Sequence, residues 1–261
     1  MLRKPGEMAM LAAERGEKIV QLVNERGSVR VSELSERFGV TEETIRRDLD
    51  RLEREGRLKR SHGGAISLKE MQPEVPYFER EITNVAEKQR IARRAVQLVN
   101  EHDFIILDAS STAWYMAAEL ADMPLTVLTN SIKVAMELAA KEKIRLISTG
   151  GLLSPRSLSY VGPLAEQSLD RYHVAKAFIS CKGLHVERGL TESNELQARI
   201  KQKMMNIADE VYVLADHSKF GVQSFAIVDG IERVTGIITD GGVDRKQVER
   251  FREKQIEVMM V

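Results

Sequence analysis

Seven apolar runs rich in β-branched residues recur from residue 104 onward: FIILD (104–108), LTVLTN (125–130), IRLISTG (144–150), AKAFIS (175–180), EVYVLAD (210–216), VTGIITD (234–240) and IEVMMV (256–261). Stretches of helical character lie between them. Strands apolar along their whole length are buried on both faces, and helices between successive strands supply the crossovers that parallel pairing requires. This half of the chain is therefore expected to form a parallel sheet covered by helices on both sides. An apolar fraction of 43% over 261 residues is enough to build such a core. The single cysteine, Cys181, permits no internal disulfide and reads as a small buried thiol. No run approaches the length of a spanning helix, and the start of the chain lacks a secretory apolar region. The expectation is a cytoplasmic protein with no membrane partner.

The first 66 residues contain one proline and read as three helices followed by a hairpin. Ile19, Leu22 and Val23 share one helical face. In the next helix Ser32 is the candidate N-cap, and Gly39 suits the left-handed residue that ends it. Thr41 then caps a third helix, with Val40 and Ile45 placed as a hydrophobic staple and Glu42 and Glu43 at its positive end. One helix stops and another starts within about three residues, the spacing of a helix-turn-helix. Beyond Gly56, LKRSHGGAISL alternates around Gly63 and Gly64 and reads as a two-stranded wing.

Positive charge is concentrated here although the chain carries 39 basic and 39 acidic residues. Ile45, Leu49 and Leu52 define the inner side of the third helix, so Glu43, Arg47 and Arg54 face outward, flanked by Thr44, Arg46 and Arg51. Such a face suits the major groove, where arginine reads guanine and its neighbours hold phosphates. Glu42–Arg46, Glu43–Arg47 and Asp50–Arg54 are equally spaced as ordinary surface ion pairs. The turn before and the basic hairpin after, with Lys59, Arg60 and His62, favour DNA. The candidate DNA-contacting set is Ser32, Thr41, Glu43, Thr44, Arg46, Arg47, Arg51, Arg60, His62 and Gly63.

In the second half, the apolar runs end in small or polar residues: Asp108 before Ser110, Ser111 and Thr112; Thr129 and Asn130 before Ser131; then Gly150 and Gly151, Lys182 and Gly183, and the HSKFG that follows Asp216. A parallel sheet gathers these ends on one edge, where doubly wound folds bind ligands. Hydroxyls at a helix start suit a phosphate, and Lys182 and Lys219 supply charge. Asp108, Asn130 and Glu195 are candidates for sugar hydroxyls. Each of these also has a purely structural use as a cap or turn. No dinucleotide or triphosphate loop motif is present, and the five histidines have no metal spacing, so neither cofactor nor metal is expected.

The stretch SVRVSELSERFGVTEETIRRDLDRLEREGRLKRSHGGA (28–65) resembles the N-terminal winged helix of the DeoR family of bacterial transcriptional regulators, with a TIRRDL-type recognition helix and a GGA wing. PYFERE (76–81), TNS (129–131), SYVGP (159–163) and ADHSKFG (215–221) resemble that family's sensor-domain motifs. Pro73, Pro76 and the loss of any helical period mark 69–86 as the expected linker; the resemblance implies a winged helix-turn-helix at 1–68 and, at 87–261, a three-layer α/β domain similar to a sugar-phosphate isomerase fold that senses phosphorylated sugars. One winged helix makes too small an interface for high specificity, so a homo-oligomer, dimer or tetramer, on double-stranded operator DNA is expected, and the resemblance implies repression of a carbohydrate catabolism operon. Ser110 stands where the family often has glycine and Lys182 where many members are acidic, changes that narrow the phosphate loop and alter the charge facing the ligand. The alternative class is an isomerase-like enzyme carrying a DNA-binding domain; Asp108, Lys182, Glu195 and Lys219 can do acid–base work, but no base poised near neutrality is apparent.

Overall fold

Glycine and threonine punctuate the first helices. In the computed structural model, which describes residues 12–26, 28–61, 63–66 and 74–261, α1 (Ala12–Arg26) is followed by β1 (Ser28–Arg30), α2 (Val31–Phe38) and α3 (Glu42–Arg54). Gly39 ends α2 at φ +60°, and its N–H reaches back to carbonyls of the last turn. Thr41 caps α3, its hydroxyl accepting from the Thr44 N–H at 3.3 Å. Ile19, Val23, Leu34, Ile45, Leu49 and Leu52 form one buried cluster between the three helices.

Ser32 is not the cap of α2. The helix starts two residues earlier than a cap at Ser32 would set it, and Arg30 occupies the cap position without a side-chain bond. The Val31 N–H is satisfied instead by Gly63 O of the wing, at 2.9 Å. The wing itself, β2 (Lys59–Ser61) and β3 (Gly64–Ile66), gains β1 as a third strand, in the order β1-β3-β2 with antiparallel pairing. A Cβ at Gly64 would lie 2.0 Å from Val29 O, so glycine is what lets β3 approach β1.

Contacts divide the chain between Gln72 and Pro73. In the second unit α4 (Tyr77–Glu81) and α5 (Val85–Val96) precede β4 (Phe104–Leu107), α6 (Ser111–Glu119), β5 (Leu125–Thr129), α7 (Ile132–Leu138) and β6 (Ile144–Ser148). A hairpin of β7 (Leu152–Ser154) and β8 (Ser159–Val161) leads to α8 (Pro163–Leu169) and β9 (Val174–Ile179). Next come β10 (Gly183–His185), β11 (Gly189–Glu192), α9 (Glu195–Asn206), β12 (Ala208–Leu214) and β13 (Ala226–Asp229). The last elements are β14 (Gly236–Thr239), α10 (Arg245–Glu253) and β15 (Glu257–Met260).

All seven apolar runs become the strands of one sheet, ordered β15-β14-β12-β9-β4-β5-β6, and every pairing is parallel. Ile105 and Leu107 face a layer containing Ile91, Ala113 and Val134; Ile106 faces one containing Ala165, Ala198 and Phe251. The domain is thus a three-layer α/β fold. From β4 the chain moves outward to β5 and β6, then crosses back to lay β9 on the other side of β4. The order reverses between β4 and β9, and in such sheets the crevice beyond the strand ends at that switch point is where ligands bind.

Candidate functional site

The outward face of α3 is built by exclusion: Ile45, Leu49 and Leu52 are buried, which leaves Glu43, Arg46 and Arg47 to solvent. Arg47 is the most exposed of these, with 79% of its side chain in solvent and Glu43 3.3 Å away. Arg46 pairs with Glu42 at 2.6 Å. Thr41 and Thr44 share a hydroxyl contact of 3.0 Å at the helix start. Two arginines of the predicted set are turned elsewhere. Arg51 donates to Ala12 O at 2.9 Å, reaching toward α1, and Arg60 is held on α3 by Asp50 while its N–H donates to Glu53 at 2.8 Å. Ser32 is exposed within α2, Gly63 is exposed at the wing turn, and His62 lies outside the described residues. Sequence reasoning attached no weight to Asp48, which is buried and paired with Arg15 at 2.6 Å. Its position one residue before Leu49, at the edge of the apolar stripe, was the available signal.

In the second unit a cavity of about 260 Å³ opens at the switch point. Ser110, Ser111 and Thr112 bring the first turn of α6 to it, where backbone N–H groups have no intrahelical acceptor. Ser110 is the cap, accepting from the Ala113 N–H at 3.0 Å, and Ser111 donates to Arg80 O at 3.3 Å. Lys182, beyond β9, and Lys219, beyond β12, complete the predicted residues that meet here.

The other predicted residues lie elsewhere. Asp108 is fully buried beneath the cavity, where its carboxylate accepts from the N–H groups of Ser110 at 3.0 Å and Ser180 at 2.9 Å and pairs with Lys201 at 3.0 Å. It ties β4 to β9. Thr129, Asn130 and Ser131 shape the turn after β5: Thr129 accepts from the Ser131 N–H, Ser131 caps α7, and Asn130 donates to Tyr160 O at 3.0 Å. Gly150 and Gly151 turn the chain after β6, and Gly183 pairs with Thr191 in the β10–β11 hairpin. Glu195 is exposed at the start of α9 beside a separate hollow. For the residues after β6 the reason is lateral distance: that strand lies two places from β4, about 10 Å at ordinary strand spacing.

Several cavity residues escaped sequence reasoning. Glu74, Arg80, Thr83, Asn84 and Lys88 come from residues 74–88, most of them in the segment read as linker. PYFERE was the visible signal there. Glu192, Ser193, Lys201, Asp216 and Ser218 complete the wall. A lysine in line with buried Ala198 and Met205 on α9 was the mark of Lys201.

Charge decides what the cavity can hold. Burial opposes the Lys201 ammonium, yet Glu192 and Asp108 outweigh it and hold its pKa above the ordinary lysine value. Burial, helped by the charges of Lys219 and Arg80 against the pull of Asp216, pushes Lys88 down to about 8; its ammonium donates to Thr83 O at 2.6 Å and to Arg80 O. Lys182 is lowered by burial and by Lys219. Asp216 stays below the usual carboxylate range despite burial, because Lys219 faces it and Ser218 donates to it, with Asn84 3.1 Å away. Among the described residues, five cationic side chains and three carboxylates line the space, an excess of two positive charges, or of one once Asp108 beneath is counted. Among the described residues no hydrogen bond or ion pair holds the Lys182 or Lys219 ammonium group. Burial drives the Cys181 thiol up to about 12, so it stays neutral, and among the described residues no histidine lines the space. The arrangement suits an anion and offers no nucleophile–base pair. Among the described residues no cluster of three or more His, Cys, Asp or Glu is placed for a metal, and no helix is long and apolar enough to cross a membrane.

Comparison with known proteins agrees with both units. Residues 15–71 match the DeoR-like helix-turn-helix domain and residues 83–241 the DeoR C terminal sensor domain. The chain is 53% identical over 252 residues to the uncharacterized HTH-type transcriptional regulator YulB of Bacillus subtilis (strain 168), covering 97% of this chain and 98% of that one. It is 39% identical to the L-fucose operon activator of Haemophilus influenzae (87% and 91% covered) and 35% identical to a putative aga operon transcriptional repressor of Escherichia coli O157:H7 (95% and 94%).

Proposed function

Because this chain belongs to the DeoR family of DNA-binding transcriptional regulators, and is a regulator rather than an enzyme, we propose that its affinity for operator DNA is set by a phosphorylated sugar bound in the switch-point cavity. The observation that carries this reading is the pair of unpartnered ammonium groups, Lys182 and Lys219, beside the hydroxyls and N–H groups at the start of α6. That combination suits a phosphate monoester. The first unit reads double-stranded DNA through α3, and the protein works in the cytoplasm as a homo-oligomer. Relatives named for an L-fucose operon and an aga operon support a carbohydrate operon as the target; one is named an activator and one a repressor. For this chain we favour repression, relieved by the sugar. An effector achieves this by binding the DNA-competent and DNA-free states with different affinity.

The test is a paired titration, with operator followed by anisotropy and a panel of pentose and hexose phosphates by calorimetry. Lys219→Ala is expected to weaken phosphate-ester binding by about 1.5–3 kcal/mol, the value of a charge-assisted hydrogen bond, and to leave operator affinity intact. Unchanged calorimetric affinity in the variant, or turnover of a sugar phosphate by the wild type, defeats the proposal.

A further inference from the structure

The cavity is electrically lopsided. Lys182, beyond β9, and Lys219, beyond β12, stand free, whereas Lys201 is fully occupied by Asp108, Glu192 and Ser180 O. Next to that saturated cluster lies Glu74, whose side chain is only 14% exposed. Its carboxylate accepts one long hydrogen bond, from Asn194 Nδ2 at 3.3 Å. The nearest cation, Arg80 Nη2, is 3.9 Å away, outside hydrogen-bond reach, and Arg80 directs its Nε–H to Val75 O at 3.1 Å. An ionised carboxylate offers about four acceptor positions, so most of the capacity of Glu74 is unused in a place poor in water. Burial, reinforced by the charge of Glu192, raises its pKa, which is the signature of a carboxylate lacking donors.

Resting on the sugar-phosphate reading above, we infer that Glu74 is a specificity determinant of this cavity: it accepts a hydroxyl at the end of the effector away from the phosphate and turns away ligands bearing a second anionic group there. A neutral hydroxyl supplies the missing donor. A carboxylate or second phosphate meets Glu74 and Glu192 together, and like charges brought into a desolvated space repel. Asn194 also governs what a Glu74→Gln substitution would do. Its Nδ2 requires an acceptor, so the new amide oxygen turns toward it and the amide NH₂ replaces the acceptor offered to the ligand.

The experiment measures calorimetric affinity of the full-length chain and of Glu74→Gln and Glu74→Ala for inorganic phosphate, for pentose and hexose monophosphates, and for fructose 1,6-bisphosphate and 6-phosphogluconate. The expected result has three parts. Wild type prefers its best monophosphate over both ligands that are anionic at each end by more than about tenfold. Both variants lose at least about tenfold for that monophosphate and narrow the preference. Inorganic phosphate affinity stays within about twofold in variants whose thermal midpoints match wild type. Equal losses for phosphate and ester, or wild type that binds the bisphosphate or the acid as well as the monophosphate, overturn the inference. So does wild type that binds phosphate but no ester more tightly, which leaves the phosphate reading standing. Wild type that binds neither phosphate nor any ester removes the sugar-phosphate reading itself.

Discussion

Arg47 and Asp48 are adjacent on α3 and lie in opposite environments, so they separate recognition from stability. Arg47 projects into solvent beside Glu43, and an exposed pair of this kind is worth little to folding. Arg47→Ala is expected to leave the thermal midpoint of the first unit unchanged and to weaken specific operator binding by about 1–3 kcal/mol, read by gel shift against a mismatched site. Asp48 is the reverse. Its carboxylate and the Arg15 guanidinium are 8% and 9% exposed and 2.6 Å apart. Asp48→Ala removes the carboxylate that faces a buried guanidinium and is expected to destabilise the first unit by about 3–5 kcal/mol, measured by urea unfolding. A small shift would mean that Arg15 escapes to solvent. Periodicity made the face of Arg47 legible in the sequence. Asp48 was not, because an acidic residue at the edge of an apolar stripe declares itself only when a basic residue 33 positions away folds against it.

At the level of elements, long patterns were readable and short ones were not. The seven strands are each four to seven residues long and lie in runs dominated by apolar or β-branched residues. The three-residue β1 carries no period, and it exists because β3 accepts it across Gly64. That close approach makes a prediction for the wing. Gly64→Ala puts a methyl 2.0 Å from Val29 O, so β1 and β3 must separate. The Val31 N–H then loses its acceptor at Gly63, since the same turn carries both. Lower stability of the first unit and weaker operator binding should appear together, by calorimetry and anisotropy on the same sample; operator binding at wild-type strength would show that the wing tolerates the separation. Residues 74–86, read as linker for their prolines and lack of period, instead contain α4 and contribute Glu74, Arg80 and Asn84 to the cavity. A five-residue helix is too short to display a period, and its stability comes from packing and from the carbonyl contacts made by Lys88, Ser111 and Tyr115.

Across the whole molecule, one winged helix offers an interface too small for a specific site, so two copies on a repeated or palindromic operator are expected, with the second unit supplying the association. Sedimentation at micromolar concentration should show at least a dimer, with and without DNA; a monomer in both conditions excludes this assembly. The sequence by itself determined the class of each unit, because burial on one face or two is written into hydrophobic period, and helix ends are written into residues such as Gly39 and Thr41 whose preferences are local. It also determined which chemistry was available: hydroxyls, lysines and carboxylates at strand ends. Only the tertiary structure decided which of them meet. Strand order is a property of the sheet and not of any strand, so nothing local could say that β9 returns to lie beside β4. That single crossover brings Ser110, Lys182 and Lys219 to one cavity, sinks Asp108 beneath it, and leaves Thr129, Gly150 and Glu195 outside its lining.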